Sequence, residues 1–218
     1  MPGRTIAIGD IHGCSAAFRS LIQAISPQPD DTLIALGDYV DRGPDSRGAL
    51  DLLLKVEKNC RLVPLLGNHE LMLLDVLQHP EAEEPWKQCG GLPTLRSYGG
   101  SLKKMPPEHL AFIRRCKRYY ETATHFFVHA NYAADVPLDE QPDDLLFWEH
   151  LHLNPPAPHD NGKTAIVGHT SQIVGEVCDL GHVIGIDTFC HGGGWLTAMD
   201  VATGQLWQAD LKGRLRRA

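Results

Sequence analysis

No apolar run in this 218-residue sequence approaches the ~18 residues that a membrane-crossing helix needs. No charged-then-apolar leader follows Met1-Pro2-Gly3-Arg4, which passes straight into a strand pattern. Both absences lead us to expect a cytoplasmic protein with no membrane partner. The six cysteines (Cys14, Cys60, Cys89, Cys116, Cys178, Cys190) contain no C-x-x-C pair and are irregularly spaced. That spacing argues against a zinc ribbon, and a chain this long with no secretion signal is not expected to rest on disulfides. Positive charge is also in short supply, with 20 Lys and Arg against 27 Asp and Glu and a formal charge of −7. The surface as a whole is therefore not one that attracts nucleic acid. Internal repeats are absent as well.

What is present is ordinary in bulk and unusual in arrangement. A hydrophobic content of 43% and a charged content of 22% fit one domain over 1–218 with a sizeable core. Five times, a short apolar run ends on Asp, Asn or His. Ile6-Ala7-Ile8 runs into Gly9-Asp10-Ile11-His12-Gly13, and Leu33-Ile34-Ala35-Leu36 into Gly37-Asp38-Tyr39-Val40-Asp41-Arg42-Gly43. Leu62-Val63-Pro64-Leu65-Leu66 runs into Gly67-Asn68-His69-Glu70, Phe126-Phe127-Val128 into His129, and Ala165-Ile166-Val167 into Gly168-His169. Runs of this kind read as buried strands, and α/β sheets bind ligands just beyond the carboxyl ends of their strands. Oxygen and imidazole donors without a thiolate suit Mn, Fe, Zn or Mg, and their spread over five strands points to more than one ion.

Helical patterns follow the first three strands. They cover 15–25, with Phe18, Leu21, Ile22 and Ile25 on one face, and 46–56, with Leu50, Leu53 and Leu54. A third begins near His69 and carries Leu71, Leu73, Leu74 and Leu77. Pro27 and Pro29 close the first, and Asp45 or Ser46 can cap the second behind Pro44. This β-α-β-α-β-α order predicts a parallel sheet with right-handed crossovers. From 81 to 118 the pattern breaks into short helical pieces, clearest at 107–116, which we read as a helical insertion over the rim and the seat of selectivity. Residues 119–124 and 125–128 read as paired strands, 139–144 as a solvated acidic face, and 154–162 as a loop. Later segments around 175–177, 182–186, 196–199 and 205–207 read as a strand meander, and the basic 212–217 as a frayed end. Two sheets are predicted, one from each half of the chain, with facing sides in the core and helices outside.

Three of these stretches, Gly9-Asp10-Ile11-His12-Gly13, Gly37-Asp38-Tyr39-Val40-Asp41-Arg42-Gly43 and Gly67-Asn68-His69-Glu70, closely resemble in that order the metal signature of one family. It is the phosphoprotein phosphatase branch of the calcineurin-like metallophosphoesterases. Val128-His129-Ala130 and Gly168-His169-Thr170 look like its two later histidine motifs, and Ile186-Asp187-Thr188 with Gly193-Gly194-Trp195-Leu196-Thr197 resembles its closing strands. The resemblance runs from Ile6 to Val201 and leaves the middle insertion and the tail unmatched; the compact length is similar to bacterial and phage members. It implies an α/β fold of two mixed β-sheets packed as a four-layer sandwich flanked by helices. It also implies a serine/threonine protein phosphatase that acts, as a monomer, on phosphorylated protein or peptide. Residue by residue, Asp10, His12 and Asp38 would hold one divalent ion, and Asp38, Asn68, His129 and His169 a second. Manganese is the foremost expectation, with iron, zinc or magnesium as alternatives. A hydroxide bridging the ions would attack phosphorus directly, His69 would be the general acid oriented by Asp41, and Arg42 would grip the phosphate.

Electrostatics agrees with that assignment. Two divalent ions, the Asp10 and Asp38 carboxylates and one hydroxide sum to roughly +1, enough to draw a phosphate to an acidic protein. Arg42 adds a bidentate fork that lysine lacks. One departure stands out: where the family commonly has a second phosphate-gripping arginine, Phe147-Trp148-Glu149-His150 has none. His150 is a candidate replacement, as are Arg114, Arg115 and Arg118 from the insertion. Other residues are read as structural: His79, His109, His125, His159 and His182, the packed Cys14 and Cys190, and Glu70 at the first turn of its helix. Asp187 and Thr188 are read as supports for His169 or His129, or else as strand-end caps. Two further functions stay open, a symmetrical dinucleoside tetraphosphatase or other nucleotide hydrolase, and a non-catalytic metal-binding scaffold.

Overall fold

The computed structural model describes residues 3–217. Three strands, β1 (Thr5–Ile8), β2 (Thr32–Ala35) and β3 (Arg61–Pro64), lie parallel and in register, Ile6 beside Leu33 and Leu33 beside Leu62. The helices that return the chain between them are α1 (Ser15–Ile25) and α2 (Ser46–Val56), with the bounds the apolar spacing predicts. Asp45 caps α2 by accepting from the Gly48 amide at 2.9 Å. Helix α3 (Asn68–Gln78) buries Leu73 and Val76, not the full leucine stripe read from sequence, because it sits between two cores. Leu74 packs toward one and Leu71 toward the other.

The insertion forms α4 (Glu83–Trp86), a π-helical turn over Lys87–Gly91, α5 (Leu92–Ser97) and α6 (Pro107–Arg114). Then come β4 (Tyr119–Glu121), β5 (His125–Val128), α7 (Asp143–Trp148), β6 (Thr164–Val167), β7 (Cys178–Asp179) and β8 (Val183–Gly185). Three strands close the chain: β9 (Asp187–Thr188), β10 (Trp195–Asp200) and β11 (Leu206–Ala209).

Two mixed sheets result, ordered β11-β10-β1-β2-β3 with β9 paired to β10, and β4-β5-β6-β8-β7. The expectation of one sheet per half of the chain is corrected here. The carboxyl-terminal strands cross back, and β10 lies antiparallel against β1, Ala7 opposite Met199. This covers an edge that would otherwise expose unpaired amides and carbonyls along the strand carrying Asp10 and His12. The tail is corrected too: Arg216 donates to the Gly175 carbonyl at 3.2 Å and to Gln208 at 3.0 Å, and its guanidinium lies 5.5 Å from the Trp195 ring centroid. A cation on an indole face is a fixed contact, not a frayed end.

The layers follow from which faces are apolar. Ala7, Ile34, Val63, Phe127, Ile166 and Met199 meet between the sheets. The other face of the first sheet buries Ile6, Ile8 and Leu33 against Phe18, Leu21, Leu50 and Leu53 of α1 and α2. The second sheet buries Phe126, Val128 and Ala165 against Leu146 and Phe147 of α7. Each fully buried Leu, Ile or Phe contributes about 1.5–3 kcal/mol. Helices therefore cover both outer faces, and the carboxyl ends of β1, β2, β3, β5 and β6 open on one rim. Among the described residues no helix is long and apolar enough to cross a membrane.

Candidate metal centre

Asp38, buried just past the end of β2, stands between two groups of side chains. His12, Asp38 and His69 bring one ligand atom each within 4.8 Å of one another, and so do Asp38, His129 and His169. The two Asp38 oxygens face different groups: Oδ2 lies 3.4 Å from His12 Nε2 and 4.0 Å from His69 Nε2, and Oδ1 lies 3.4 Å from His129 Nε2.

Backbone carbonyls orient three of these rings. His12 donates Nδ1–H to Val40 at 2.9 Å, His129 donates Nδ1–H to Leu36 at 2.8 Å, and His169 donates Nε2–H to Trp148 at 3.1 Å. The other nitrogen of each ring is then a lone pair turned inward. Asn68 Oδ1 adds another acceptor, 3.1 Å from His129 Nε2, 3.2 Å from each Asp38 oxygen and 3.3 Å from His169 Nδ1. Only a rotated amide would turn these into hydrogen bonds; with the oxygen inward, acceptors face acceptors around one point. That is the environment of a cation, and neutral imidazoles with oxygen donors fit a divalent one. The residues present therefore fit metal ions, though they do not distinguish one metal from another.

Asp10 is placed differently from the other predicted ligands. It joins neither group of three, and its two oxygens accept the His169 amide at 3.2 and 3.0 Å. Gly168 passes so close that a Cβ there would meet Asp10 Oδ1 at 2.1 Å. Burial, with the Asp187 and Asp38 charges beside it, raises the Asp10 pKa well above the carboxylate range, and burial raises Asp187 too. Burial also works against Asp38, but the histidines around it, His129 foremost, bring its pKa below the usual value. Crowded, buried carboxylates of this kind call for nearby positive charge. Asp187 itself does not support His169 or His129, as the sequence reading allowed: it binds the Ser171 hydroxyl and the Phe189 amide, and carbonyls orient both histidines.

Strain accumulates at these strand ends. Seven non-glycine residues have positive φ among the described residues, and His12, Asp38, Asp41, Arg42 and His169 are five of them. Each such residue costs about 1–3 kcal/mol and persists only when its surroundings enforce it. Glu70 enforces the conformation at Asp38, while the amides of Asp41, Arg42 and His169 are held by Thr94, the Gly90 carbonyl and Asp10. Glu70 Oε1 accepts from the amides of Tyr39 (2.7 Å) and Val40 (3.2 Å), and its Oε2 from those of Asp38 (2.8 Å) and Gly67 (3.1 Å). Supporting its own helix, as the sequence reading had it, is the lesser part of its work. Gly67 is required by the closeness of that loop, since a Cβ would sit 2.2 Å from Asp38 Oδ1 and 2.4 Å from its amide nitrogen.

His69 is held through its other nitrogen. Nδ1 lies 2.8 Å from Asp41 Oδ2, leaving Nε2 buried, without a partner, and facing the group around Asp38. Burial lowers the His69 pKa, but the Asp38 and Asp41 carboxylates more than compensate and raise it. Arg42 is exposed beside it, with Nη1 3.3 Å from His12 Nε2. Of the proposed replacements for a second arginine, Arg115 is committed to Glu57 at 2.6 and 2.7 Å, and Arg118 to Asp143 and the Gln141 carbonyl. His150 does stand at the site, stacked on His169 with ring centroids 4.5 Å apart.

Sequence reasoning missed three neighbours. His191 packs edge-on against His12 at 4.7 Å, and burial lowers its pKa to about 4. Trp86 and Thr94 donate to Asp41. None of the three ends an apolar strand, so nothing in the pattern marked them. The histidines read as structural have partners elsewhere, for instance His109 with Tyr98 and His182 with the Pro156 carbonyl.

Residues 3–202 match the family model described as calcineurin-like phosphoesterase. Among curated proteins, the chain is 29% identical over 201 residues to serine/threonine-protein phosphatase 1 of Salmonella typhimurium, covering 87% of this chain and 88% of that one. It is 26% identical over 274 positions to the symmetrical bis(5'-nucleosyl)-tetraphosphatase of Cellvibrio japonicus, covering 94% and 97%. The tetraphosphatase of Wigglesworthia glossinidia brevipalpis is 35% identical over 103 residues, a match to 45% of this chain and only 37% of that relative. Among solved structures, a candidate diadenosine tetraphosphatase superposes with a TM-score of 0.73 at 24% identity, covering 96% of this chain and 94% of that one, a likeness of fold.

Proposed function

This chain belongs to the calcineurin-like phosphoesterase family, and from that premise we propose that it is a metal-dependent phosphatase for phosphoserine and phosphothreonine monoesters in proteins or peptides. The observation that carries the substrate choice is the His69–Asp41 pair, with Nε2 of His69 buried, unpartnered and turned toward Asp38. Hydrolysing a serine or threonine monoester breaks a P–O bond to an alkoxide, a strongly basic leaving group that must take up a proton as it departs. A nucleoside diphosphate leaves readily without one. A histidine locked by a carboxylate, its free nitrogen facing the reaction space, serves the first need far more than the second.

Two divalent cations, held by His12 and Asp38 and by Asp38, Asn68, His129 and His169, would supply a nucleophile at neutral pH and offset the charge of the phosphoryl group. Asp10 would take part through the His169 amide it holds, or as a ligand itself. The protein's own share is positional. Asp41 accepts Nδ1–H of His69 and, with Asp38, favours the doubly protonated ring, so that Nε2–H can pass its proton to the leaving oxygen. Arg42, exposed at the mouth and in no ion pair among the described residues, offers its guanidinium to phosphate oxygens. Glu70 keeps Asp38 between the two groups.

A second reading, the symmetrical tetraphosphatase, draws support from the nearly full-length match to the Cellvibrio relative. That alignment extends over 274 positions for 94% of a 218-residue chain, so the relative carries long segments that this chain lacks. The Salmonella phosphatase aligns over 201 residues without that excess. Rates on a phosphothreonine peptide and on diadenosine tetraphosphate, measured side by side with Mn²⁺, separate the two. The peptide should be turned over with the higher kcat/KM, and preference for the dinucleotide would overturn the proposal.

A further inference from the structure

Segment 86–94 of the insertion packs directly against Asp41 and Arg42. Trp86, at the end of α4, donates Nε1–H to Asp41 Oδ2 at 2.7 Å. Thr94, in α5, donates its hydroxyl to Asp41 Oδ1 at 2.7 Å and accepts the Asp41 amide at 2.8 Å. Between them, the Gly90 carbonyl accepts the Arg42 amide at 2.9 Å. Trp86, Thr94 and Asp41 are all buried. Asp41 Oδ2, the oxygen that holds His69, is thus fixed from a second side by an indole 45 residues away in sequence.

A carboxylate with one oxygen on His69 and free to turn about its own bonds would let the imidazole swing. Two further donors, one on each oxygen, remove that freedom and fix the ring that faces the leaving group. We propose that Trp86, with Thr94, is a positioning residue for proton donation by His69. The insertion would then take a direct part in leaving-group chemistry. This rests on the reading of His69 as general acid.

The test compares two aryl phosphates of similar size, 2,4-dinitrophenyl phosphate, whose leaving phenolate needs no proton, and phenyl phosphate, whose phenolate does. Misplacing a general acid slows the second and spares the first. Trp86→Phe keeps the ring and removes the N–H. We expect kcat on phenyl phosphate to fall about tenfold or more with KM little changed, and kcat on the dinitrophenyl ester to fall less than about twofold. Thr94→Val should show the same bias, and Thr94→Ser, which keeps the hydroxyl, should lose it. A purely structural role for Trp86 lowers the folded fraction and slows both esters alike, so the ratio of the two rates stays readable in a destabilised variant. His69→Asn separates the layers of the argument. If it slows both esters equally, the general-acid reading fails. If it is selective for phenyl phosphate while Trp86→Phe and Thr94→Val are not, the positioning role is overturned and that reading stands.

Discussion

Replacing Glu70 by Gln tests how the loop that presents Asp38 is held. The carboxyl group accepts four backbone amides, at 2.7, 2.8, 3.1 and 3.2 Å, two on each oxygen. Burial and the Asp38 charge push its pKa up to about 8, so the comparison is made above that pH, where it is a carboxylate. Gln keeps the shape but turns one acceptor into an NH2, which confronts two buried N–H groups instead of accepting them. Each orphaned donor costs about 1–3 kcal/mol, so the substitution should destabilise by about 2–6 kcal/mol. That is a large part of the 5–15 kcal/mol typical of a folded domain. Because the released residues include Asp38, held at φ +49°, Mn²⁺ affinity should fall as well. Urea denaturation of apoprotein gives the first quantity and calorimetric titration the second. A change below about 0.5 kcal/mol with unchanged Mn²⁺ binding would refute the reasoning, because it would mean that Glu70 is protonated in the fold and that its loop supports itself.

Two further predictions concern other parts of the molecule. Burial works to raise the Asp31 carboxyl, but the Arg4 guanidinium at 2.6 Å and the Gln28 and Arg4 amides bring its pKa down to about 2. A depressed folded pKa stabilises at pH values above the ordinary carboxylate range, so Asp31→Asn should cost about 2 kcal/mol at pH 7, a gap that closes as pH falls from ~4 to ~2; urea midpoints at several pH values check it, and a pH-independent gap contradicts it. Arg42→Lys should raise KM for a phosphomonoester about tenfold and weaken phosphate inhibition to match, through loss of the bidentate fork, while kcat changes less; an unchanged KM would remove Arg42 from phosphate binding.

The bounds of α1 and α2 were legible because prolines, a cap and 3.6-residue apolar spacing all mark them. The five strand ends were legible for a related reason, since short apolar runs stop at a polar residue, in four of the five after a glycine. Pairing across the sheet was not. That β10 joins β1 depends on partners some 190 residues apart, and no local pattern encodes such a choice. The gathering of Asp38, Asn68, His129 and His169 was readable because each sits at a strand end, whereas Asp41 with Trp86 and Thr94, Glu70 with the 38–40 amides, and His191 with His12 are tertiary meetings of residues from unlike contexts. The positive φ at Asp38 and His169 explains part of the gap, since alternating patterns describe extended strands and the site lies where the backbone leaves them.

The most direct test of the account is anomalous diffraction from crystals grown with Mn²⁺. Two peaks, one beside His12 and Asp38 on the side of Asp10 and the other among Asp38, Asn68, His129 and His169, with Asp38 touching both and His69 touching neither, are the predicted result. A single peak away from Asp38, or none at saturating Mn²⁺, would contradict it.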